Sequence, residues 1–139
     1  MILYADTSAL VKMVLTEEGT AQANAVTGQA DEIYSVNVAY AELRAAVSAA
    51  IRDQRVALHQ RDSVMGLVVN VWDKVFPVGV DWSLVLEAGN LAERHSLRGY
   101  DAIHLSALMR VGNPDIVTVA CWDYDLRRAA ASMGYPLFP

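Results

Sequence analysis

The sequence holds one cysteine, two lysines and four prolines in 139 residues. A lone cysteine closes no internal disulfide and builds no cysteine-rich zinc site, so disulfide scaffolds and zinc fingers are excluded. No run approaches the ~18 uninterrupted apolar residues of a membrane span, and no membrane partner is expected. The opening MILYA, ending at Asp6, has neither a basic lead nor a secretory cleavage site, which points to a reduced, cytoplasmic compartment. A basic excess is also missing. The formal net charge is −5, with −3 in residues 1–70 and −2 in residues 71–139. A protein that holds nucleic acid by bulk electrostatics should be positive. Charge therefore argues against such a partner unless a metal covers some of the carboxylates.

What is present is apolar: 54% of residues are hydrophobic and 19% charged, the balance of a core-rich globular chain. No repeat, low-complexity tract or linker divides it, so residues 1–139 are expected to form a single domain. Strand-like runs at 2–5, 33–36, 76–80 and 116–120, with a weak fifth at 137–138, alternate with helical patterns. The helices are expected at about 7–27, 37–53, 56–75, 82–97, 100–111 and 124–133. The alternation predicts an α/β fold, a central parallel β-sheet of four to five strands with helices on both faces. In the fourth-from-last of these helices, Val64, Leu67, Val68, Val71, Trp72 and Val75 recur at the spacing of one buried face. Trp72 is expected to serve core or self-association. In the helix after Val38, an apolar stripe of Ala39, Leu43, Ala46 and Ala50 is small enough for close packing.

Ligand chemistry in an open parallel sheet gathers beyond the carboxyl ends of its strands. Asp6 follows the first strand, Glu42 lies one to two turns into the helix after the second, Asp101 opens the helix after Arg98-Gly99-Tyr100, and Asp123 follows the fourth strand. Asp6, Asp101 and Asp123 each have a plainer reading as helix caps. Glu42 does not: it sits inside its helix at the edge of an alanine stripe, where a carboxylate costs free energy unless something pairs with it. Clustered carboxylates repel and take up protons unless a cation joins them. A hard ion, Mg2+ or Mn2+, suits carboxylate and water oxygens and offsets the negative charge that argues against a phosphodiester substrate.

DTSALV at 6–11, AELRAA at 41–46, GYDAIHLSAL at 99–108 and WDYDLRRAAASMGYP at 122–136 resemble the motifs of PIN-domain nucleases. The chain is similar in length and motif order to the VapC toxins of bacterial toxin–antitoxin pairs, from residue 2 to about 137. The resemblance implies a parallel sheet ringed by helices, a metal-dependent ribonuclease site, a homodimer and a cognate antitoxin that blocks the cleft. It places Asp6, Glu42, Asp101 and Asp123 on the family's acidic positions, and of these Asp6 and Asp101 are expected to be the primary metal ligands. Glu42 and Asp123 would then hold a second ion or orient water, and RNA would be cut to 5′-phosphate and 3′-hydroxyl ends. Cys121 stands where the family often has Thr or Ser.

The residues around the acids carry paired readings. Thr7 and Ser8 offer hydroxyls for a bound water or the scissile phosphate, or cap the first helix. Asp125 is an outer partner of the cleft or a first-turn helix acid. His104, three residues after Asp101, reads as a packed histidine bonded to a neighbour rather than a ligand, because hard metals favour oxygen. Arg98, Arg127 and Lys12, with Arg128, are the cations nearest the acids in sequence, as RNA phosphate contacts or as solvated helix charges. Trp122 reads as strand-end packing ahead of base stacking. Two other function classes compete. One is a catalytically weak PIN-like scaffold or antitoxin-binding module. The more distant one is a phosphoryl-transfer α/β domain, which wants further acids or a lysine that this chain lacks.

Overall fold

The computed structural model describes residues 1–139. Its order is β1 (Ile2–Ala5), α1 (Thr7–Val14), α2 (Thr20–Gln29), β2 (Glu32–Val36), α3 (Ala39–Arg52), a 3-10 turn at Leu58–Gln60, α4 (Arg61–Trp72), β3 (Val75–Val78), α5 (Trp82–His95), α6 (Gly99–Val111), β4 (Val117–Ala120), α7 (Tyr124–Ser132) and β5 (Leu137–Phe138). The strands form one sheet in the order β3-β2-β1-β4-β5, and every neighbouring pair is parallel. β1 lies at the centre because it is apolar on both faces: Leu3, Tyr4 and Ala5 are fully buried. From β1 the chain steps outward through β2 to β3, then returns across the sheet to β4 and β5. The order thus reverses at β1, and a cleft opens beyond the carboxyl ends of β1 and β4. α1 packs with α2, α3 and α4, while α6 packs with α5, α7, β2 and β3, so the sheet lies between two helical layers. No helix is long and apolar enough to cross a membrane.

Several expected boundaries move. The single helix at 7–27 is two helices, α1 and α2, because Gly19 takes a left-handed φ of +90° ahead of α2. The Thr20 hydroxyl holds the break by donating to the carbonyl of Leu15 and accepting from the amide of Glu17. The helix at 56–75 shrinks to α4 behind its 3-10 turn, and its buried face is narrower than the spacing suggests. Val68, Val71 and Val75 are buried, but Leu67 is 43% exposed. Trp72 is half-buried and leans on Tyr40, ring centroids 5.3 Å apart. In α3 the buried stripe is Ala39, Leu43, Val47 and Ala50, with Val47 in the place expected for Ala46. Each change follows from packing that a one-dimensional period does not contain.

Candidate active site

Asp6 continues the β1–β4 pairing past the strand end, its amide donating to the carbonyl of Ala120 at 3.1 Å. That bond turns the carboxylate into the head of α1, where Oδ1 accepts from the amide of Ala9 at 3.0 Å. Capping, the plainer reading, is therefore correct, and it does not exhaust the residue. The Ser8 hydroxyl donates to both Asp6 oxygens, at 2.7 and 2.9 Å, and the Cys121 thiol donates to Oδ2 at 3.1 Å. Asp6 is only 4% exposed. Burial lifts its pKa above the usual carboxylate range, against the opposing pull of His104, Ser8, Cys121 and the Ala9 amide. Burial and the neighbouring Asp6 charge push the Cys121 thiol far up, so it remains protonated and acts as a donor. Cys121 thus fills the role of the expected hydroxyl.

Because α3 starts at Ala39, two residues later than expected, Glu42 lies in its first turn and not one to two turns in. Its carboxylate accepts from the Thr7 hydroxyl and meets His104 Nε2 at 2.9 Å. Half-burial pushes the Glu42 pKa up, but the hydrogen bonds from His104 and Thr7 outweigh it and leave the group below its usual range. His104 is 3% exposed, and its Nδ1 lies 3.0 Å from the Tyr4 hydroxyl. It is packed and bonded, as expected, but its partner is one of the four acids. A chain of contacts, Tyr4–His104–Glu42–Thr7, therefore ties β1, α6, α3 and α1 together.

Asp101 is the third residue of α6, and the cap position belongs to Arg98, so the capping reading fails here. The Asp101 side chain is 13% exposed and accepts from Arg98 Nε at 3.0 Å. Asp123 caps α7 through the amide of Leu126 and also accepts from Arg98 Nη2 at 3.3 Å. One guanidinium thus bridges two of the acids. Glu42, Arg98, Gly99, Tyr100 and Asp101 line a cleft of about 300 Å³.

All four acids stand at one end of the sheet, and three of them are joined through short contacts, with Glu42 held beside them by Thr7 and His104. Asp6 reaches Asp123 by way of Cys121, whose thiol also meets the Asp123 carbonyl at 3.6 Å, and Arg98 links Asp123 to Asp101. As placed, however, no group of three or more His, Cys, Asp or Glu side chains is disposed to hold a metal ion. The donor chemistry fits a hard divalent cation: oxygen ligands, one of them a buried carboxylate with a raised pKa.

The other candidates serve the frame. The Ser8 hydroxyl is committed to Asp6 and to the amide of Trp122 (2.8 Å), and the Thr7 hydroxyl to Glu42. Both orient acids. Asp125 pairs with Arg128 at 3.7 Å, on the outside of α7. Arg127 donates to the carbonyls of Cys121 and Pro139, and Lys12 pairs with Glu17 and lies over the Trp122 ring. Trp122 packs against Phe138. Of the four proposed phosphate contacts only Arg98 lines the cleft. Sequence reading gave Tyr4 no role at the site, although two residues before Asp6 on a strand means the same face.

A family model described as "PIN domain" matches residues 3–131. Ribonuclease VapC45 and Ribonuclease VapC49, both of Mycobacterium tuberculosis, are each 36% identical over 138 residues, covering 99% of this chain and 95% of theirs. Among solved structures, the M. tuberculosis sarcin-ricin loop cleaving toxin VapC20 superposes with a TM-score of 0.68 at 15% identity, over 91% of this chain and 94% of that one. VapBC2 of Rickettsia felis, bound to a DNA fragment of its promoter, gives 0.65 at 13% identity, over 100% of both chains. The two structures attest to the fold, and the sequence matches carry the lineage. The strand-end acids, the sheet order and a match along nearly the whole chain agree: this chain belongs to the PIN-domain family, and within it to the VapC-type proteins.

Proposed function

We propose that this chain is an endoribonuclease toxin that hydrolyses RNA phosphodiester bonds with Mg2+ or Mn2+ held by Asp6, Glu42, Asp101 and Asp123. The observation that carries the reading is Asp6. It is a carboxylate buried at the end of the central strand, fixed by three donors and raised in pKa, in a chain 36% identical to ribonucleases along its length. A bound divalent ion supplies an acidified water and positive charge for the phosphoryl oxygens. The chain's own residues do the positioning. Ser8 and Cys121 lock the Asp6 carboxylate, while His104 and Thr7 keep Glu42 ionised and aimed at the cleft, where it orients the attacking water. Arg98, the one cation lining the cleft, turns from the acids to the substrate phosphate. The products carry 5′-phosphate and 3′-hydroxyl ends. The same reading brings a cytoplasmic location, a cognate antitoxin that occludes the cleft, and a homodimer.

The test is cleavage of total cellular RNA with end mapping, in Mg2+ or Mn2+ and in EDTA. Wild type should cut only with the divalent ion, and Asp6→Asn and Asp101→Asn should lose at least about a hundredfold in rate. Near-normal cutting by Asp101→Asn, or undiminished cutting in EDTA, overturns the assignment. The Arg98 bridge across Asp101 and Asp123 favours a second reading, a silent antitoxin-binding module whose acids are neutralised internally. Such a module would show no divalent-linked rise in melting temperature, whereas a metal-binding protein must.

A further inference from the structure

The chain has six tyrosines. Four have their hydroxyls bonded within the fold: Tyr4 with His104, Tyr34 to Glu32, Tyr40 from Arg44, and Tyr135 to the carbonyl of Gly112. Tyr100 and Tyr124 have no such bond, and neither ring packs on another aromatic. They are 60% and 77% exposed. These two are also the immediate chain neighbours of cleft acids, Tyr100 before Asp101 and Tyr124 after Asp123. Each lies in the first turn of its helix, and Arg98 links those two turns through the acids. Tyr100 lines the cleft beside Glu42 and Arg98. The fold gains little from either ring, since neither is buried or bonded.

Resting on the RNA-cleaving reading, we propose that Tyr100 and Tyr124 are stacking platforms for the bases of single-stranded RNA on the two sides of the scissile phosphate. An aromatic ring stacks on any base, because every base has a π-face, so such contacts hold RNA without demanding a sequence. This chain needs them more than a basic protein would. Its net charge is −5, and the cations near the cleft are engaged with acids or carbonyls. Affinity that Coulomb attraction does not supply falls to contacts of this kind.

The experiment measures binding of an end-labelled, random-sequence single-stranded RNA 20-mer pool by anisotropy in Mg2+. Turnover is blocked by Asp6→Asn in the full chain. Against that parent, Tyr100→Ala and Tyr124→Ala should each weaken binding roughly tenfold. Tyr→Phe at either position should retain binding, and Tyr→Leu should not restore it, because bulk without a π-face does not stack. An abasic 20-mer should bind parent and alanine variants alike. Alanine variants that bind as tightly as the parent overturn the proposal and assign the two rings to a protein-facing surface. Equal rescue by Leu and Phe overturns stacking as well. If wild type in Mg2+ neither binds nor cuts the pool, the ribonuclease reading itself falls.

Discussion

Ionising Asp6 puts a negative charge at a position only 4% exposed, and the three donors around it do not fully repay the lost hydration. A carboxyl whose folded pKa is raised stabilises the fold below its unfolded pKa, here 3.8, and that stability is lost as pH rises through the higher folded value. Glu42 has the opposite sign: its lowered pKa contributes stability above the unfolded value, lost as pH falls through the folded one. The difference between wild type and Asp6→Asn isolates the first effect. In EDTA the variant should melt a few degrees higher at neutral pH, and its melting temperature should fall less steeply from acid to neutral pH. Thermal denaturation from pH 3 to 8 checks this. A variant less stable than wild type at pH 7, with an unchanged pH slope, would mean that burial of the Asp6 charge is not the cause. The same substitution should abolish cleavage, the mark of a residue kept for function at a cost in stability.

At the scale of elements, the acids were legible because their positions follow from local rules. Asp6 comes directly after β1 and Asp123 three residues after the end of β4, and the strands were evident as short β-branched runs between helical periods. What joins them was not legible. The contact of His104 with Glu42 spans 62 residues of chain, and that of Cys121 with Asp6 spans 115. No spacing rule reaches across such separations. The break between α1 and α2 was passed over for a different reason: no proline marks it, and the interruption rests on the left-handed Gly19. A Cβ there would lie 2.9 Å from Trp122 Nε1 and 3.1 Å from Lys12 Cδ. Gly19→Ala should therefore cost about 2 kcal/mol, from the left-handed backbone and from displacing Trp122. Urea denaturation measures it. Unchanged stability would show that the turn is set by Thr20 and its two hydrogen bonds alone.

For the whole molecule, charge sets how it can meet a polyanion. The formal net charge is −5, and the cations around the cleft are internally engaged: Lys12 with Glu17, Arg98 with Asp101 and Asp123, Arg127 with two carbonyls, Arg128 with Asp125. Each phosphate neutralised on a single strand contributes about −0.7 to the slope of log K against log salt. Even with Arg98 turned from the acids to a phosphate, that slope should be shallow, no steeper than about −2. A basic RNA-binding groove would give a far steeper one. Binding of labelled single-stranded RNA by the Asp6→Asn chain across NaCl concentrations, at fixed Mg2+, measures it. A shallow slope means that the molecule recognises RNA through the cleft, with stacking in place of a basic surface. A slope steeper than about −4 would require a cluster of arginines away from the acids to track the backbone, and the cleft would then be a place where RNA is cut but not where it is held.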